Sequence, residues 1–187
     1  MPRVLVNDVA GLISQDLSLS YQVLRCINSS YYGVTRKVES IHQATVMLGL
    51  EKLRQLCALV ALTQIEDRPI SIFIDAMTRA RMCEQLGMLR GAAESASLFI
   101  VGLFSLLDVV TGIAMDELLE QLPLSASVSQ ALRTQQGPLG QLLREVIAYE
   151  RGLWTPDLYP GPTPAELQNA YLDAIAWAQS AYAITSG

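Results

Sequence analysis

Histidine is almost absent from this chain: His42 is the single one in 187 residues. Hydrolytic metal centres draw several imidazole and carboxylate ligands from different elements, so a histidine-rich cluster is excluded. Only an all-carboxylate Mg²⁺ or Ca²⁺ site is left open, and no D-x-[DN]-x-[DN]-G run occurs to build one. Cysteine is scarce too. Cys26, Cys57 and Cys83 are odd in number and form no C-x-x-C pair. They read as reduced, semi-buried thiols of a cytosolic protein. Positive charge is thin: 13 Lys and Arg stand against 18 Asp and Glu, a net charge of −5. Arg36-Lys37 is the one adjacent basic pair. A protein that grips a phosphate backbone is basic on at least one face, so nucleic acid is not an expected direct partner. The phosphate-cradling signatures G-x-G-x-x-G and G-x-x-x-x-G-K-[ST] are both missing. Met1 to Ala10 has Arg3 and Asp8 and no long apolar stretch of signal-peptide type. The run Leu98 to Met115 is apolar but contains Asp108 and is interrupted by Gly102 and Gly112. It reads as a buried helix rather than a membrane span. No membrane partner is expected, and the expected location is the cytoplasm.

What the chain does have is apolar material, 51% of its residues, with a mean hydropathy of +0.30. That composition excludes intrinsic disorder, and a chain of this length can bury roughly 70% of its unfolded surface. The apolar residues recur at helical spacing almost throughout, with no bounded stretch of period two. Ser18 to Asn28 carries Leu19, Val23, Leu24 and Ile27 on one face. Ser40 and Gln43 form a capping box that opens a helix to about Leu48, with Gly49 expected in the left-handed position that ends helices. Glu51 to about Gln64 follows, with Leu53, Leu56, Cys57 and Val60 at helical spacing. Ile70 to Leu86 closes at Gly87, and Ala92 to Val110 is apolar all round, the pattern of one central core helix ending at Gly112. Further helices are predicted near Met115 to Gln121, Ser125 to Gln135 and Pro138 to about Arg151. Pro and Gly then cluster in a loop over 155–164, and Thr163 with Glu166 caps a last helix to about Ile184. The prediction is all-α: a single globular bundle of about eight to ten helices. It forms one domain over 1–187, whose C-terminal helix 163–185 follows the Pro-rich loop.

Few residues carry chemistry. Acidic residues are scattered apart from Glu66-Asp67 and Asp116-Glu117, which sit at helix ends where carboxylates complement or terminate a helix. His42 falls in the first turn of its helix, a surface position, with no G-x-S-x-G or Cys–His signature around it. Gly137-Pro138-Leu139-Gly140 begins a helix and has no Lys, Arg or Ser behind it to hold an anion. The connection from Ser29 to Glu39 differs. It brings Tyr31, Tyr32, Arg36 and Lys37 into one polar loop, and exposed aromatic plus Arg is the composition of binding hot spots. The competing reading packs one tyrosine into the core and leaves Arg36-Lys37 solvated; composition alone does not separate the two.

Certain runs resemble a known family. LISQDLSLSYQVLRCINSSYYG followed by SIHQATVMLGLEKLRQLCAL is similar to the opening of the HDOD domain, a degenerate relative of the HD metal-dependent phosphohydrolases. The matching residues are Asp16, Leu24-Arg25, Asn28-Ser29, Tyr32-Gly33, Ser40-Ile41, Gln43-Ala44 and Leu48-Gly49. FIVGLFSLLDVV resembles the region where an HD enzyme carries Gly-Leu-Leu-His-Asp, but Ser105 and Leu106 stand where His and Asp would be. The ending, PLGQLLREVIAYERGLW and an Ala-rich helix with Trp177, is similar to HDOD domains that follow an EAL domain in cyclic-di-GMP signalling proteins.

The resemblance implies an HD-domain-like fold and a bacterial signal-transduction module without catalysis, metal or cofactor. Such a module acts on a protein partner or a neighbouring domain, possibly EAL. Tyr31, Arg36 and Lys37 are the candidate partner-binding residues. Asp16, Arg25, Asn28, Ser29, Tyr32, Gly33, Ser40, Gln43 and Gly49 are expected to be structural. The alternatives are a residual phosphohydrolase or phosphodiesterase, and a small-ligand or nucleotide sensor without turnover. Oligomeric state is not legible in the sequence.

Overall fold

The computed structural model describes residues 17–28, 37–65, 67–92, 95–122, 124–159 and 161–185. Among these residues there are ten helices and no strand. They are α1 (Leu17–Ile27), α2 (Ile41–Leu48), α3 (Leu50–Thr63), α4 (Ile70–Leu89), α5 (Ser95–Phe104), α6 (Leu107–Thr111), α7 (Met115–Gln121), α8 (Ala126–Thr134), α9 (Gly137–Glu150) and α10 (Pro164–Thr185). The chain divides into two compact units, Met1–Glu66 with Ser180–Gly187, and Asp67–Gln179.

In the first unit the apolar faces read from the sequence meet in one core. Val23, Cys26 and Ile27 of α1 join Ile41 and Ala44 of α2, Leu53, Leu56 and Val60 of α3, and Val38. The cap that starts α2 forms in part. Ser40 Oγ accepts from the Gln43 N–H at 3.1 Å, while Gln43 Oε1 reaches past the cap residue and accepts from the Glu39 N–H at 3.0 Å. One first-turn donor is thereby satisfied, and the residue before the cap is tied to the helix. Gly49 departs from expectation: it sits at φ +81, ψ 160, outside the left-handed helical region. It must serve as the end of α2 and the start of α3 at once, and only glycine tolerates that extended, positive-φ conformation.

In the second unit, Met82 and Leu86 of α4, Leu98 and Val101 of α5, Leu142 and Val146 of α9, and Leu167 and Ala174 of α10 share a core. Trp177 is buried, its ring edge-on to Phe99 at 5.8 Å. The Thr163–Glu166 box forms at the start of α10 (Thr163 N–H to Glu166 Oε2 2.7 Å; Glu166 N–H to Thr163 Oγ1 3.2 Å). Those bonds hold the Glu166 carboxyl below its usual range.

Two boundaries correct the sequence reading. Gly87 does not close α4, which continues to Leu89; Gly87 is buried, and a Cβ there would collide with Leu98. Its function is close packing, not termination. The expected helix from Ala92 to Val110 is two helices, broken at Ser105-Leu106. Ser105 Oγ donates to the Gly102 carbonyl at 2.7 Å, and the Ser105 N–H reaches the same carbonyl at 3.4 Å. Such local bonds offer the backbone an alternative to continuing the helix. Gly102 itself lets α5 lie directly on α4: a Cβ would stand 2.6 Å from Ala80 Cα and 2.7 Å from the Arg79 carbonyl oxygen.

Candidate functional site

The break after α5 holds Ser105 and Leu106, the two residues that the sequence resemblance singled out. Arg79, on α4, reaches it from below. Arg79 Nη1 donates to Ser105 Oγ at 2.9 Å, while Nε and Nη2 donate to Glu150 Oε2 at 3.0 and 2.7 Å. Glu150 is the last residue of α9, so one guanidinium fork ties three helices together. The Arg79 and Glu150 side chains are only 11% and 15% exposed. Two charges so far from water persist only when paired and hydrogen-bonded, and here the fork–carboxylate geometry supplies both. Leu106, at the second position, is half-buried and precedes α6 with no side-chain capping bond.

A cavity of about 310 Å³ adjoins the pair, lined by Asp75, Thr78, Arg79, Glu150 and Tyr171 among others. Burial first, then the charges of Glu150 and Asp75, push the Tyr171 phenol above its ordinary range. Cys83, fully buried nearby, is also raised, again chiefly by burial. Neither group is poised as a nucleophile or base at neutral pH. Two more Arg–Glu pairs stand in this unit: Arg90 with buried Glu145 (2.6 Å), and Arg81 with buried Glu84. Trp154 Nε1 also donates to Glu145 at 3.4 Å, and the Arg81 guanidinium lies 5.9 Å from the centre of the Trp177 ring. Among the described residues, no group of three or more His, Cys, Asp or Glu is placed to hold a metal ion. No single helix among them is long and apolar enough to cross a membrane.

Of the residues selected from the sequence, Ser105 and Leu106 lie at the break after α5. Asp16, Ser29, Tyr31, Tyr32, Gly33 and Arg36 lie outside the described residues. Of the remainder, Asn28 has the clearest structural part. Its amide nitrogen donates to the carbonyls of Leu24 (2.8 Å) and Val38 (2.7 Å), and its oxygen accepts the Val38 N–H at 2.7 Å. The end of α1 is thereby clasped to the chain that leads into α2. Lys37 is exposed and Arg25 half-buried, and both line a groove of about 420 Å³ with Tyr21, Leu24, Val38 and Glu39. His42 is exposed on α2, as its position in the first turn implies. The Arg79–Glu150 pair was not anticipated. Its partners are 71 residues apart, and no local pattern couples them.

The fold is all-helical and HD-domain-like, with serine and leucine at the break after α5. The chain belongs to the HDOD domain family, whose model matches residues 1–151. It is 31% identical over 178 residues to the Bacillus subtilis (strain 168) protein YuxH, covering 92% of this chain and 44% of that protein. It is 34% identical over 155 residues to the cyclic di-GMP phosphodiesterase CdgJ of Vibrio cholerae serotype O1, covering 82% of this chain and 36% of CdgJ. The chain thus spans less than half the length of either relative. Its fold is shared with a crystal structure from Marinobacter aquaeolei VT8 described as a signal transduction protein. There the TM-score is 0.69 at 20% identity, covering 97% of this chain and 55% of that one. An HDOD domain protein from Geobacter sulfurreducens gives a TM-score of 0.52 at 21% identity, covering 96% of this chain and 66% of that one.

Proposed function

We propose that this chain is a non-catalytic regulatory module of bacterial signalling, working as one HDOD-like domain in the cytoplasm through contact with a protein partner or neighbouring domain. A link to cyclic-di-GMP turnover through an EAL domain is the favoured pathway, in line with the likeness to CdgJ. The observation that carries the non-catalytic reading is the Arg79–Glu150–Ser105 constellation. It sets a fixed, paired guanidinium charge beside Ser105, and on the resemblance to HD proteins this is the step where a metal-dependent enzyme would need carboxylates and imidazoles free to ligate. A divalent cation beside Arg79 would meet like-charge repulsion in a poorly solvated setting. The contact itself is assigned to the Tyr31, Arg36 and Lys37 loop, where aromatic area meets positive charge.

Two measurements test this. Purified protein supplied with Mn²⁺ or Fe²⁺ is expected to leave cyclic di-GMP intact; turnover abolished by chelation would make the chain a residual phosphodiesterase. Calorimetry against an EAL domain from the same genome is expected to show binding that Tyr31→Ala with Arg36→Ala weakens by roughly 2 kcal/mol. Unchanged affinity in the double variant would move the contact off this loop. The 310 Å³ cavity beside Tyr171 supports a second reading, a small-ligand sensor without turnover. A nucleotide that raises the melting temperature of wild type but not of Tyr171→Ala would favour it.

A further inference from the structure

We infer that the groove between α1 and the Lys37–Glu39 segment docks an acidic segment of a partner protein that carries an apolar side chain among its carboxylates. The inference rests on the protein-contact reading above and gives that contact a chemistry and a second wall. Tyr21, Leu24, Arg25 and Asn28 lie at i, i+3, i+4 and i+7, a single stripe of α1 facing the groove. The groove's volume of about 420 Å³ lies within the range of sites that hold small ligands. Tyr21 is 66% exposed, an aromatic ring standing in water at the groove's edge. Leu24 and the aliphatic stems of Arg25 and Lys37 supply apolar lining, while the charged heads of such side chains stay toward solvent.

The groove's own charges are unbalanced, unlike those of the ion pairs in the second unit. Arg79, Arg81 and Arg90 are each consumed by a glutamate. Arg25 and Lys37 have no ion-pair partner among the described residues. Among the described lining residues they face one carboxylate, Glu39, so that lining is positive in a chain whose net charge is −5. Such a site attracts carboxylates and steers an acidic partner onto it. The apolar lining selects further, for a segment with a side chain to bury. Preorganisation comes from Asn28. Both N–H donors of its amide and one lone pair of its oxygen are engaged by Leu24 and Val38, so it fixes the separation of the two walls.

The test is fluorescence anisotropy on the full chain with a short fluorescein-labelled peptide of Asp and Glu carrying one Phe and one Leu. Controls are a Lys-for-acid analogue and an analogue with Ser at the apolar positions. The acidic–apolar peptide is expected to bind in the micromolar range, more weakly as salt rises, and at least about tenfold tighter than either control. Arg25→Glu and Lys37→Glu are each expected to weaken it by about tenfold or more, and Lys37→Arg to retain it. Lys37 is exposed, so its reversal keeps the test valid should Arg25→Glu impair folding; a melting curve checks each variant. The inference is overturned by absence of binding, or by equal affinity for the serine analogue. Indifference to both reversals, or full displacement by inorganic pyrophosphate, which would make this a small-anion site, overturns it too. A chain that binds an EAL domain but not the peptide refutes the groove alone. One that binds the peptide but no EAL domain refutes that pairing alone.

Discussion

Cutting the Arg79–Glu150 pair should cost more than any surface ion pair in the molecule. Glu150→Leu leaves the Arg79 guanidinium with Ser105 Oγ as its remaining partner and removes the bonds at 2.7, 3.0 and 3.3 Å. Removing one member of a buried pair typically costs about 3–5 kcal/mol, because the other charge is left desolvated. The two side chains here keep 11% and 15% of their exposure, so water screens the orphan in part and we expect about 2–3 kcal/mol. Arg79→Met should cost a similar amount by stranding Glu150. The double variant Arg79→Met/Glu150→Leu carries no stranded charge and should return to within about 1 kcal/mol of wild type. Urea unfolding with an unchanged slope is the assay, and a fall of roughly 2–4 °C in melting temperature per kcal/mol is the thermal counterpart. If either single variant lies within about 0.5 kcal/mol of wild type, or if the two losses simply add, the pair does not hold α4, α5 and α9 as described.

Leu103 is fully buried on α5, so Leu103→Asp should place an unpaired charge in the core and cost about 3–5 kcal/mol in denaturant unfolding; an unchanged midpoint would mean this face is solvated. Burial raises the Cys57 thiol from 9.0 to about 11. Its alkylation at pH 8 should therefore run at least about tenfold slower than that of a free thiol, recovering on unfolding, and equal rates would refute the burial. Because the folded state favours the protonated thiol, the stability this group contributes is present below pH 9.0 and is lost as pH rises towards about 11.

The helices were legible because their information is local. Apolar spacing marked the buried faces of α1 and α3, Ser40 caps the Gln43 N–H three residues on, and Thr163–Glu166 is a reciprocal pair at the same spacing. The break at Ser105 was not legible, since a lone serine in an apolar run carries none of the Gly or Pro punctuation that marks a helix end. What fixes it includes Arg79, 26 residues earlier in the chain. Gly87 misled for the opposite reason: it looks like punctuation, yet serves the packing of Leu98. Of the charged pairs, Glu145 left one trace, a carboxylate among Leu142, Leu143 and Val146 on a buried stripe. A glutamate there demands a partner, although nothing in the sequence says that it is Arg90. That Ser105 and Leu106, rather than His and Asp, follow Gly102-Leu103-Phe104 was read directly, because it is a matter of residue type rather than of pairing at a distance.

The Asn28 clasp has a consequence for how such a module diversifies. Its amide bonds to Val38 close the connection between α1 and α2 at its base, and they do so without reference to the residues in between. The two ends of the loop are thus held together by the scaffold itself. Lengthening a flexible connection twofold costs only about 0.6 kcal/mol in closure entropy. Added length between the two posts is therefore cheap, which makes this connection a natural place for an engineered recognition loop to be inserted.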